Sequence, residues 1–72
     1  MEDIKKLFGS NVRKYRHERN LSQEQLAEKS GLHRTYISDV ERAERSISLD
    51  NIQKIALALE IEVHQLFKKR EE

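Results

Sequence analysis

The sequence predicts an all-α fold, a compact bundle of five helices in a single domain over residues 1–72. Three observations predict it. Apolar residues recur at three- and four-residue spacing along the chain. Proline is absent and glycine occurs only twice, so helices meet few breakers. Ser22 with Gln25 makes a capping box, and Gly31 closes the short helix that this box opens.

The first helix is predicted from about Glu2 to Arg19, with Ile4, Leu7, Phe8, Val12 and Tyr15 as its apolar stripe. Gly9 interrupts it at a cost of about 1 kcal/mol relative to alanine. Asn20 ends it, because asparagine tolerates the left-handed conformation of helix ends. Ser22 starts the second helix, which turns Leu26 and Ala27 inward. The third runs from about His33 to Ala43 and buries Ile37 and Val40, with Tyr36 unassigned. Two short helices around Ser30-Gly31-Leu32 have the layout of a helix-turn-helix, spanning about 22–42. After the loop Glu44-Arg45-Ser46-Ile47, Ser48 caps a fourth helix striped by Ile52, Ile55, Ala56 and Leu59. Glu60-Ile61-Glu62 connects to a fifth helix, about 62–70, which carries Val63, Leu66 and Phe67. It ends in Lys68-Lys69-Arg70, whose charge suits the negative end of a helix dipole.

Composition narrows the function. A chain of 72 residues has no room for a second core. Without cysteine there is neither a disulfide nor a thiolate metal site. His17, His33 and His64 lack the close spacing of metal ligands, so no metal and no cofactor is expected. There is no glycine-rich phosphate loop and little volume for a pocket, which argues against an enzyme and against a small-molecule ligand. No apolar run reaches the roughly 18 residues of a membrane span. Met1-Glu2-Asp3-Ile4 lacks the order of a secretory signal, so a cytoplasmic location is expected, with no membrane partner. The formal net charge is +1, but residues 1–20 carry six basic and three acidic groups, whereas residues 47–62 carry one basic and three acidic. A molecule polarised in this way can present one face to phosphates.

Leu21-Ser22-Gln23-Glu24-Gln25-Leu26-Ala27, with Gly31, Ile37, Val40 and Glu41, resembles the Cro/C1-type (XRE) helix-turn-helix family over roughly residues 4–67. Leu32-His33-Arg34-Thr35-Tyr36-Ile37-Ser38, then Glu41-Arg42 and Arg45, is similar to the recognition segment of restriction–modification controller proteins. The resemblance implies a lambda-repressor-like DNA-binding domain. It implies a homodimeric regulator of transcription that reads a pseudo-palindromic operator in double-stranded DNA, joins the nucleoid when bound, and has RNA polymerase as a possible further partner. The alternative is a protein-interaction module, such as an antitoxin or a bridging factor, on the same fold.

In a helix-turn-helix the second motif helix enters the major groove with its N-terminal residues at the base edges. That assigns base reading to Arg34, Thr35, Tyr36 and Ser38. Arginine bonds guanine O6 and N7 in bidentate fashion, and threonine meets a thymine methyl or a polar edge. Gln23, His33, Arg42 and Arg45 are assigned to phosphates, Gln23 by the resemblance and by the positive end of its helix. Asp39 can accept from cytosine N4 or neutralise a neighbouring arginine. The resemblance to phage repressors implies a structural ion pair between Arg16 and Glu41. Family members often place glycine two residues after this glutamate. Here Ala43 stands there, which predicts a helix that runs on or a different loop, since a left-handed alanine costs about 1 kcal/mol. Val63, Leu66 and Phe67 are more apolar surface than a short terminal helix can bury alone, and are expected at a dimer interface.

Overall fold

Asp3 starts the first helix, its carboxylate accepting from the Lys5 amide at 2.9 Å. The computed structural model describes residues 3–69, so the expected start at Glu2 lies outside the described residues. Four α-helices follow one another: α1 (Ile4–Glu18), α2 (Gln23–Ser30), α3 (Arg34–Glu41) and α4 (Leu49–Leu59). A single 3₁₀ turn (Val63–Phe67) stands in place of the expected fifth helix. The described residues contain no strand and no helix long and apolar enough to cross a membrane.

Local chemistry explains where each helix ends. At the end of α1, Asn20 adopts φ +58°, the Leu21 amide donates to Arg16 O and the Asn20 amide to His17 O. This crossed pair of bonds satisfies carbonyls that the helix itself leaves free. In the capping box of α2, Ser22 Oγ accepts from the Gln25 amide at 3.0 Å, and Gln25 Oε1 accepts from the Ser22 amide at 2.8 Å. Gly31 ends α2 at φ +77°, where a side chain would strain the backbone although it would meet no neighbour.

α3 is shorter than expected. It ends at Glu41, with Ala43 at φ +62°. The Glu44 amide donates to Asp39 O and the Ala43 amide to Val40 O, the same crossed pair as at Asn20. Ala43 therefore neither prolongs the helix nor changes the turn. It takes the left-handed conformation that glycine would adopt more easily. Glu60 does likewise after α4, at φ +61°.

The core joins Phe8 and Val12 of α1, Leu26 and Ala27 of α2, Ile37 and Val40 of α3, and Ile52, Ile55, Ala56 and Leu59 of α4. Leu66 closes it from the 3₁₀ turn. The stripe of α1 holds at its centre, but Leu7 and Tyr15 are half-buried and Ile4 is exposed. Gly9 is buried where α1 crosses the end of α3. A Cβ there would run into Val40 O and lie 2.9 Å from Glu41 O. The glycine that weakens α1 is what lets the two backbones touch.

The terminal turn departs from its expected form for a physical reason. Asn11, buried in α1, donates through Nδ2 to Leu66 O and Lys68 O, each at 3.0 Å. Those carbonyls are thereby withdrawn from any continuing helix, and Lys68 is extended. Lys68 and Lys69 follow the helical turn rather than end it, and Arg70 lies outside the described residues.

Candidate nucleic-acid interface

α3 has two faces. Ile37 and Val40 point into the core, and Arg34, Thr35, Ser38, Asp39 and Arg42 share an outward arc of about 140° at a helical pitch of about 100° per residue. Arg34 and Thr35 are exposed and Ser38 is half-exposed. Arg34 makes no hydrogen bond or ion pair with any described residue, so its guanidinium fork is available. His33 occupies the N-cap position, but its side chain makes no cap bond. The first amides of α3 are therefore left for an outside acceptor.

Behind this face Arg16 and Glu41 are locked together. Arg16 Nε donates to Glu41 Oε2 at 2.7 Å and Nη2 to Oε1 at 3.2 Å, with both side chains almost fully enclosed. Arg16 Nη1 also donates to Leu21 O at 2.8 Å. Gln23 Nε2 donates to Glu41 Oε1 at 3.1 Å, so the start of α2 is tied to the end of α3. That bond leaves Gln23 one amide proton, together with its backbone N–H at the helix start, for an outside acceptor.

Tyr36 is half-buried against the core, and its hydroxyl accepts from Asn51 Nδ2 at 3.0 Å. Its ring lies under the Arg45 guanidinium at 4.6 Å. Tyr36 is thus a platform that joins α3, α4 and the loop between them, and its hydroxyl keeps a proton to donate. Arg42 and Arg45 are exposed, and both reach Asp39, at 2.9 and 3.4 Å. Of the two roles open to Asp39, the unbound chain shows the neutralising one.

A family model described as helix-turn-helix matches residues 12–66, a span that holds α2, α3 and the Arg16–Glu41 pair. The chain belongs to the helix-turn-helix family. Among its relatives, control protein C.SmaI of Serratia marcescens is 53% identical over 68 residues, covering 94% of this chain and 81% of that protein. Control protein C.BamHI of Bacillus amyloliquefaciens is 52% identical over 65 residues, covering 89% and 80%. The crystal structure of the restriction-modification controller protein C.AhdI from Aeromonas hydrophila superposes with a TM-score of 0.86 at 49% identity, covering 88% of this chain and 96% of that one. This helix-turn-helix chain is a DNA-binding regulator of transcription similar to such controllers, and not an enzyme.

Within this helix-turn-helix chain the residues expected at a dimer interface separate. Leu66 is 0% exposed, a core residue of the single chain, because the 3₁₀ turn tucks it against α1 and α4. Phe67 is half-buried, its ring 5.1 Å from that of Phe8. Only Val63, 42% exposed, remains open. The most exposed large apolar side chains are elsewhere: Leu49 is 84% and Leu57 71% exposed, both on the outer face of α4 with Gln53 between them, and Ile4 of α1 is 56% exposed.

Sequence reasoning missed three structural residues. Asn11 is a buried clamp on the last turn. Asn51 holds Tyr36. Arg19 donates to Leu59 O at 2.7 Å and Glu60 O at 3.2 Å, capping α4 from the end of α1. Only Asn11 carried a signal, a polar residue adjoining Val12 in the apolar stripe.

Proposed function

We propose that the chain is a restriction–modification controller that binds a pseudo-palindromic operator as a homodimer in the bacterial cytoplasm. The observation that carries this reading is the outward face of α3, where Arg34, without a partner among the described residues, stands beside Thr35 and one turn from Ser38. These residue types read base edges, and the motif geometry delivers them to the major groove. Arg42, Arg45, Gln23 and His33 surround them as phosphate ligands, and Tyr36 contributes its hydroxyl proton to a base or phosphate. The names of the control proteins that share about half of its residues support the restriction–modification context.

Dimerisation is assigned to the apolar outer face of α4, Leu49 and Leu57, together with Val63. A two-fold axis there sets two copies of α3 on half-sites about 34–36 Å apart, one turn of DNA. RNA polymerase is a further partner in this reading, reached from the promoter-bound dimer.

The test is selection of duplexes from a random pool by the purified chain at about 150 mM salt, where non-specific phosphate binding is weak. Enrichment of a pseudo-palindrome with half-sites about 10 base pairs apart is the expected result. Folded protein that enriches no sequence overturns the reading and favours a protein-interaction module.

A further inference from the structure

Asp39 stands on the outward arc of α3, among the residues assigned to DNA, where a carboxylate faces repulsion from phosphate. In the unbound chain it holds two arginines at once. Arg42 Nη2 lies 2.9 Å from Oδ1, and Arg45 Nη2 lies 3.4 Å from Oδ2. Arg42 has a second acidic neighbour, Glu44 Oε1, at 3.2 Å. Arg45 is also stacked on Tyr36. The two arginines assigned to the phosphates are therefore already neutralised, whereas Arg34, assigned to a base, is not.

We propose that Asp39 is a specificity-determining residue that lowers binding to random DNA by competing with phosphate for Arg42 and Arg45. The proposal rests on the DNA-reading function given above. On a random duplex either arginine gains a phosphate only by giving up a carboxylate oxygen. The released carboxylate then faces the negative backbone without a partner. An operator requires the same exchange, but there the released carboxylate accepts from a cytosine N4 donor, which offsets it. Specificity is a difference between two affinities, and Asp39 acts on the non-specific one.

The experiment compares the unaltered chain with Asp39→Asn on its selected operator and on a random duplex of equal length, across a range of salt. Asp39→Asn is expected to tighten random binding about tenfold and to steepen its salt dependence by about one to two phosphate contacts. Operator affinity is expected to tighten by less than random affinity, because the neutral side chain is a weaker acceptor for cytosine N4, so the ratio of operator to random affinity falls. Asp39→Ser, also short and uncharged, should reproduce the effect, with thermal melting confirming the fold of each variant. In an Arg42→Ala/Arg45→Ala background no arginine remains to compete for, and Asp39→Asn should tighten random binding by less than about threefold. Equal tightening on both duplexes reduces Asp39 to a bulk charge and overturns the proposal, as does weakening on both. Failure of the unaltered chain to select any duplex overturns the DNA-reading function, a result separate from these.

Discussion

Arg16 spends its guanidinium inside the chain: two bonds to Glu41, one to Leu21 O, and a 3.2 Å contact between Nη2 and His17 Nε2. Removing it leaves the Glu41 carboxylate enclosed, with Gln23 as its one remaining side-chain donor among the described residues. Arg16→Ala is expected to lower stability by about 3–5 kcal/mol, read as a fall in melting temperature, with DNA binding lost only as a consequence. Unchanged melting with lost binding would show instead that Arg16 itself meets DNA. Arg34 is the opposite case, an arginine with no internal partner among the described residues. Arg34→Ala should leave melting unchanged, cost about 1–3 kcal/mol of operator affinity and relax the preference at one base pair. A second selection from random duplexes checks this. The two arginines are of one type, and the burial of Arg16 and its distance to Glu41 separate a structural residue from the proposed reader.

At the scale of elements, helix ends decide how α3 is presented. Its C-terminus turns through Ala43 at φ +62°, which sends the chain back so that Arg45 lies over Tyr36. Ala43→Gly relieves the left-handed strain without altering the turn, and should stabilise the chain by about 1 kcal/mol. A higher denaturation midpoint with an unchanged slope is the expected reading. Most helix starts and stops were legible beforehand, because a cap is a short-range bond: Ser22 to Gln25, Ser48 to Asn51, Asn20 and Gly31 in left-handed conformations. The terminal 3₁₀ turn was not legible. Its sequence satisfies an apolar helical pattern, and what cuts it short is Asn11, 55 residues away.

For the whole molecule, the described chain has a longest dimension of 33 Å and carries one helix-turn-helix. In the proposed dimer each copy reads one half-site, so operator specificity depends on pairing. Leu57 is 71% exposed and contributes little to its own core. Leu57→Glu should therefore leave the monomer folded while shifting sedimentation from dimer to monomer and weakening operator binding about tenfold or more. A Leu57→Glu chain that still sediments as a dimer would remove the outer face of α4 from the interface. Leu66 is unsuited to this test, because a charge in its enclosed position would unfold the chain.

Residue spacing and helix caps are enough to establish the all-α class, the order of the four α-helices, the inward residues of α2, α3 and α4, and the outward set of α3. These follow from spacing of three or four residues and from caps that close within one turn, both local properties of the chain. Arg16 and Glu41 were legible only through family resemblance, since 25 residues separate them. The tertiary structure alone decided that Gly9 is a contact point between backbones, that Asn11 ends the last turn, and that Leu66 belongs to the core. It alone showed Asp39 holding both Arg42 and Arg45, and the apolar surface lying on α4. Each of these depends on which helix faces which across the core, and local periodicity does not encode that relation.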